Sequence, residues 1–135
     1  MNTNLQHAAV LIGRVALALL FLWSGWDKIE NFAGAAGYIA QAGLPLARPL
    51  AVGSIIVELG GGILLVVGWQ ARWVAAALAA FTLAVTLIFH NFWAYTGAEA
   101  YGLTIHFFKN LSTIGGLLVV TGCGAGRYRL GRRRA

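Results

Sequence analysis

Residues Pro49 to Trp69 read PLAVGSIIVELGGGILLVVGW, an apolar run of membrane-spanning length whose only charged side chain, Glu58, lies near its middle. On a helix, Ser54, Glu58 and Gly62 share one face at four-residue spacing with Gly61 beside them, while Ile55, Ile56, Leu59, Ile63 and Leu64 cover most of the rest. A carboxyl group at mid-bilayer depth costs at least ~2.5 kcal/mol, so this face is expected to turn toward protein or a wet cavity, and Glu58 becomes a candidate functional residue. The plainer alternative is structural: half of a buried ion pair, or a neutral hydrogen-bonded acid, that holds a bundle together.

The rest of the chain is built like this stretch. Of 135 residues, 59% are hydrophobic and 10% charged, whereas about a quarter of a soluble domain is charged. Four runs are long enough to cross about 30 Å of hydrocarbon, at roughly 8–26, 49–69, 73–95 and 103–123. The predicted fold is therefore all-α, an integral membrane four-helix bundle forming a single domain over 1–135, with a basic tail at 124–135. No soluble domain of useful size remains, so any chemistry belongs inside the bundle, at its mouths or on a partner.

Charge sets the orientation. The net charge of +6 is concentrated in the tail, where Arg127, Arg129, Arg132, Arg133 and Arg134 follow directly on a spanning segment. That position favours the membrane surface over nucleic acid, which is not an expected partner. With Arg72 in the short second connection, the tail puts positive charge on one side, so both termini are expected in the cytoplasm of a bacterial cell, the protein being multi-pass in the inner membrane. Met1 to His7 has no Lys or Arg and is not expected to be a signal peptide. The single cysteine, Cys123, excludes an intramolecular disulfide and a C-x-x-C active site; a small buried packing role is expected for it.

Other polar residues gather at two depths. In the first helix Arg14, Phe21 and Lys28 repeat every seven residues, giving one face a cation near each end, and Arg14 is expected to pair with Glu58 near the midplane. Trp23 and Trp26 suit an interfacial belt. The stretch from Glu30 to Arg48 is too short to span; with Asn31 as N-cap and Gly43-Leu44-Pro45 as turn, it reads as a short interfacial helix forming an extracytoplasmic lid. On the third spanning helix Thr82, Thr86 and His90 are four apart, followed by Asn91 and Trp93, and the fourth returns through His106, Lys109, Asn110 and Thr113. Together these predict an outer-leaflet pocket lined by Lys28, Glu58, His90, His106, Lys109 and Asn110, with more hydrogen-bond donors than packing needs.

In order and spacing, Arg14, Ser24-Gly25-x-x-Lys28-x-x-x-Phe32, Ala42-Gly43-Leu44-Pro45, Glu58-Leu59-Gly60-Gly61, Phe108-Lys109-Asn110-Leu111, Gly115-Gly116-Leu117-Leu118 and Gly126-Arg127-Tyr128 resemble the DoxX family of small bacterial membrane proteins. The resemblance implies a four-helix membrane protein associated with redox chemistry, through relatives in thiosulfate:quinone oxidoreductase and through proposed roles in oxidative-stress and thiol metabolism. It carries over Arg14, Lys28, Glu58, Lys109 and Asn110; His90 and His106 rest on depth alone.

Three function classes follow. In the first, a quinone-linked oxidoreductase subunit or partner, Glu58, Arg14 and Lys109 are the catalytic candidates, and Lys28, His90, His106 and Asn110 bind a quinone or small anionic ligand. The others are a transporter for a proton or small acid, and a structural or assembly subunit, with a protein redox partner or a homo-oligomer open in each case. A heme between His90 and His106 is disfavoured because Lys109 would crowd or pair with its propionates, and no metal site is expected.

Overall fold

The computed structural model describes residues 2–131; Arg132, Arg133 and Arg134 of the basic tail lie outside the described residues. Its first helix, α1 (Thr3–Glu30), is longer at both ends than 8–26. The Asn2 side chain accepts from the Asn4 N–H at 3.2 Å, so the polar first turn is capped and joins the apolar run. At the far end the Asn31 N–H still bonds the Asp27 carbonyl at 2.9 Å, and the chain passes straight into α2 (Phe32–Gln41). Asn31 occupies the cap position of α2, but its side chain makes no cap hydrogen bond.

Left-handed residues set the two tight connections. Gly43 (φ 80°) and Leu46 (φ 57°) turn the chain around Pro45 into α3 (Ala47–Val67). Gly68 (φ 75°) ends α3 by donating to the Leu64 carbonyl at 2.9 Å, and Gln70 (φ 48°) leads into α4 (Ala71–Phe89).

The predicted third span, 73–95, is cut short. Helix α4 stops at Phe89, and a 3₁₀ turn at Phe92–Ala94 follows. There Phe92 and Trp93 fold back edge-on against Phe107, at 5.3 and 6.1 Å between ring centres, and this aromatic contact competes with helix continuation. Helix α5 (Gly97–Cys123) consequently starts well before 103.

Helices α1, α3, α4 with its 3₁₀ extension, and α5 are each long and apolar enough to cross a membrane, and no strand occurs among the described residues. Four crossings return the chain to the end where it began. Helix α1 packs along α3 and α4 along α5; the pairs join through α3 and α4, and α1 touches α5 sparingly. The core is made of small and branched side chains, Ala18, Leu65, Ala75, Leu78 and Leu117 among them. A second cluster seats α2 on α3, with Ala36 and Ile39 against Ala51 and Phe89 alongside.

Candidate functional site

One face of α1 buries Arg14, Ala18, Phe21 and Gly25, so the seven-residue seam does face the bundle. Glycine decides how closely α3 approaches it: a Cβ on Gly25 would sit 2.7 Å from the Leu59 side chain, and one on Gly62 2.8 Å from Leu22. That approach brings Lys28 and Ser24 to the buried Glu58. Lys28 Nζ lies 2.6 Å from Glu58 Oε2, and the Ser24 hydroxyl donates to Oε1 at 2.9 Å. Both carboxylate oxygens are therefore held, one of them by an ion pair, which offsets the cost of desolvating them. In the sequence Ser24 stands out only as part of the Ser24-Gly25-x-x-Lys28 motif. Its position four residues before Lys28 on the same face was the available signal.

Arg14 does not pair with Glu58. Its guanidinium donates through Nη2 to the carbonyls of Tyr128 at 2.7 Å and Val66 at 3.1 Å, and through Nη1 to that of Ala125. The register of α1 on α3 keeps the two apart. Ser24 is the α1 residue level with Glu58, and the ten-residue step back to Arg14 is about 15 Å along the axis. Val66 carries one of the last four carbonyls of α3, which have no partner within the helix, so Arg14 places its charge at the negative end of that helix dipole. It also clasps the segment after α5, and Leu130 adds a backbone bond to the Val67 carbonyl at 2.8 Å.

On α4, Thr82 and Thr86 are buried and bond back to the carbonyls of Leu78 and Thr82, at 2.7 and 2.6 Å. The Asn110 amide donates to the Thr86 hydroxyl at 3.0 Å, tying α5 to α4. One turn further, His90 and His106 stack with ring centres 5.3 Å apart. His90 Nδ1 is buried without a hydrogen-bond partner, and His106 is exposed. Lys109 is exposed too, and its side chain makes no hydrogen bond among the described residues.

The six residues expected to share a pocket thus form separate contacts: Lys28 with Glu58, Asn110 with Thr86, His90 with His106, and Lys109 at the surface. Among the described residues, none of the six lines either of two clefts that open into the bundle. An apolar cleft of about 460 Å³ lies between α1 and α5, walled by Gly13, Leu17, Gly116 and Val120 with Arg14 and Cys123 at its edge. Cys123 is exposed there rather than packed in a core. A polar cleft of about 380 Å³ lies at the opposite end, between the C-terminal ends of α2 and α4 and the start of α5, where Asn91 and Glu99 meet Tyr38 and Tyr95.

Comparison with known proteins agrees with this architecture. The DoxX family model matches residues 9–91, which takes in α1 to α4 and leaves His106, Lys109 and Asn110 beyond it. The chain is 33% identical over 124 residues to the inner membrane protein YphA of Escherichia coli (strain K12), covering 92% of this chain and 89% of that one. It is 34% identical over 130 residues to the inner membrane protein YqjF of the same organism, covering 96% and 94%. No solved structure matches it.

Proposed function

The chain belongs to the DoxX family, and from that premise we propose that it is a redox-associated protein of the bacterial inner membrane, a quinone-linked oxidoreductase subunit or partner. The observation that carries this reading is the His90–His106 stack, with one buried ring nitrogen left unpartnered beside an exposed imidazole. An unpaired polar atom within a spanning segment is costly, and a quinone oxygen approaching from lipid supplies its missing partner. Lys109, exposed one turn along α5 from His106, is a further candidate donor, while Asn110 holds Thr86 beneath the stack. Glu58, with Lys28 and Ser24, is the proton-handling group of this scheme. Arg14 has a separate task, since its contacts lie at the other end of the bundle.

Quinone extracted from the protein purified in detergent is expected in stoichiometric amount. Decylubiquinone is expected to raise the thermal midpoint of the wild-type chain but not of the His90→Ala/His106→Ala variant. If the extract holds no more quinone than a lipid-matched control and decylubiquinone leaves the midpoint unmoved, the reading fails. A second reading, a subunit whose polar interior fixes packing within an assembly, is favoured by one observation: both Glu58 oxygens and both terminal nitrogens of Arg14 find partners inside the chain.

In the proposed orientation both termini face the cytoplasm, because Arg72, Arg127 and Arg129 share the end that carries them, and α2 covers the outer face as a lid. A cysteine introduced at Glu99 in a Cys123→Ala background is expected to react with an impermeant thiol reagent in whole cells, while one at Gly131 is protected. The opposite pattern inverts the topology.

A further inference from the structure

We infer that the polar cleft at the α2–α4–α5 end is a binding site for an organic ammonium group. Tyr38, Phe89 and Tyr95 are among its lining residues, and Tyr38 stacks on Phe89 with ring centres 5.0 Å apart. Glu99 adds a carboxylate, while Gln41 and Asn91 add amides. Among the described residues no Lys, Arg or His lines this cleft, although the chain carries ten Lys and Arg against four Asp and Glu. Among the described residues only Glu58 forms an ion pair, and Glu99 is the one acid that lines this cleft.

The polar groups are also free to act. Tyr38, Gln41, Asn91, Tyr95 and Glu99 make no side-chain hydrogen bond among the described residues. Aromatic faces attract a cation through their quadrupole, and a carboxylate attracts it through charge, so together they recognise an alkylated ammonium that water solvates poorly. A small anion meets Glu99 and the negative C-terminal ends of α2 and α4 against one positive helix end, the start of α5, so the field disfavours it. The cleft therefore selects against oxyanions and for choline-like or ethanolamine-like groups, free in solution or on a lipid headgroup. This assignment is independent of the quinone reading, since the His90–His106 rings do not line the cleft.

Equilibrium dialysis of labelled choline against the full chain in dodecyl maltoside tests it. Saturable binding is expected, displaced by ethanolamine but not by malonate. Glu99→Gln and Tyr95→Ala, both at exposed positions, are expected to weaken it roughly five- to tenfold while helix content by circular dichroism stays unchanged. Nanodiscs distinguish the sources. Choline binding that survives in phosphatidylethanolamine discs identifies a free ammonium ligand. Binding lost in those discs but kept in phosphatidylglycerol discs identifies the lipid headgroup. Absence of saturable choline binding in detergent, equal displacement by malonate, or unchanged affinity in both variants overturns the proposal.

Discussion

Arg14→Met is expected to destabilise the protein by about 3–5 kcal/mol, because it leaves three carbonyls at one end of the bundle without their donor. Arg14 is 1% exposed, so water cannot easily replace the guanidinium. The loss has two parts: the C-terminal end of α3 loses the cation at its Val66 carbonyl, and the segment holding Ala125 and Tyr128 loses its anchor to the bundle. Arg14→Lys keeps the charge but not the planar fork, and one ammonium group is poorly shaped to reach carbonyls on two separate segments. It is expected to recover less than half of the loss. The readouts are the thermal midpoint in detergent and the rate of proteolysis after Gly124, which rises as the segment detaches. A methionine variant that melts with the wild type and resists protease equally well would show that the clasp contributes nothing.

The second large effect lies in the Lys28–Glu58 pair, and it is expected to be unequal. The Lys28 side chain is 26% exposed and that of Glu58 6%. When Glu58 is replaced by glutamine, the lysine can extend its long stem toward the headgroups, so the cost is about 1 kcal/mol. When Lys28 is replaced by methionine, the carboxylate cannot leave, and only Ser24 still bonds it; about 3 kcal/mol is expected. The double variant removes the stranded charge and is expected to be more stable than Lys28→Met alone. Additive losses in this cycle would mean that the two residues do not interact energetically, despite their 2.6 Å separation. Arg14→Met supplies a control: it is expected to add to Glu58→Gln without rescue, since Arg14 binds at the level of Val66.

Much of this was legible in the chain. Apolar runs of spanning length require helices in lipid, where each backbone N–H and C=O must be satisfied within its own segment, so an all-α bundle with four candidate spans follows from composition and period alone. The faces were legible for the same reason. Arg14, Phe21 and Lys28 on α1, and Glu58 and Gly62 on α3, lie inward because a 3.6-residue period puts them there.

Partners and depth were not legible, because they depend on how one helix slides along another. Nothing within α1 or α3 fixes that register. It is fixed where Gly25 receives Leu59 and Gly62 receives Leu22, and it puts Lys28 rather than Arg14 against Glu58. The acceptors that Arg14 clasps were likewise hidden: the carbonyls of Val66, Ala125 and Tyr128 have no side-chain signature, so a sequence offers no reason to prefer them to a carboxylate as partners for an arginine. The early end of α4 at Phe89 came from aromatic packing of Phe92 and Trp93 on Phe107 across the turn, a contact that local propensity does not contain. That turn, with the C-terminal end of α2, also shapes the polar cleft, whose residues are too scattered along the chain to announce a site before the helices have packed. Period and hydropathy are properties of single segments, and they determined the helices and their buried faces; register, capping and cleft are properties of pairs, and only the tertiary structure decided them.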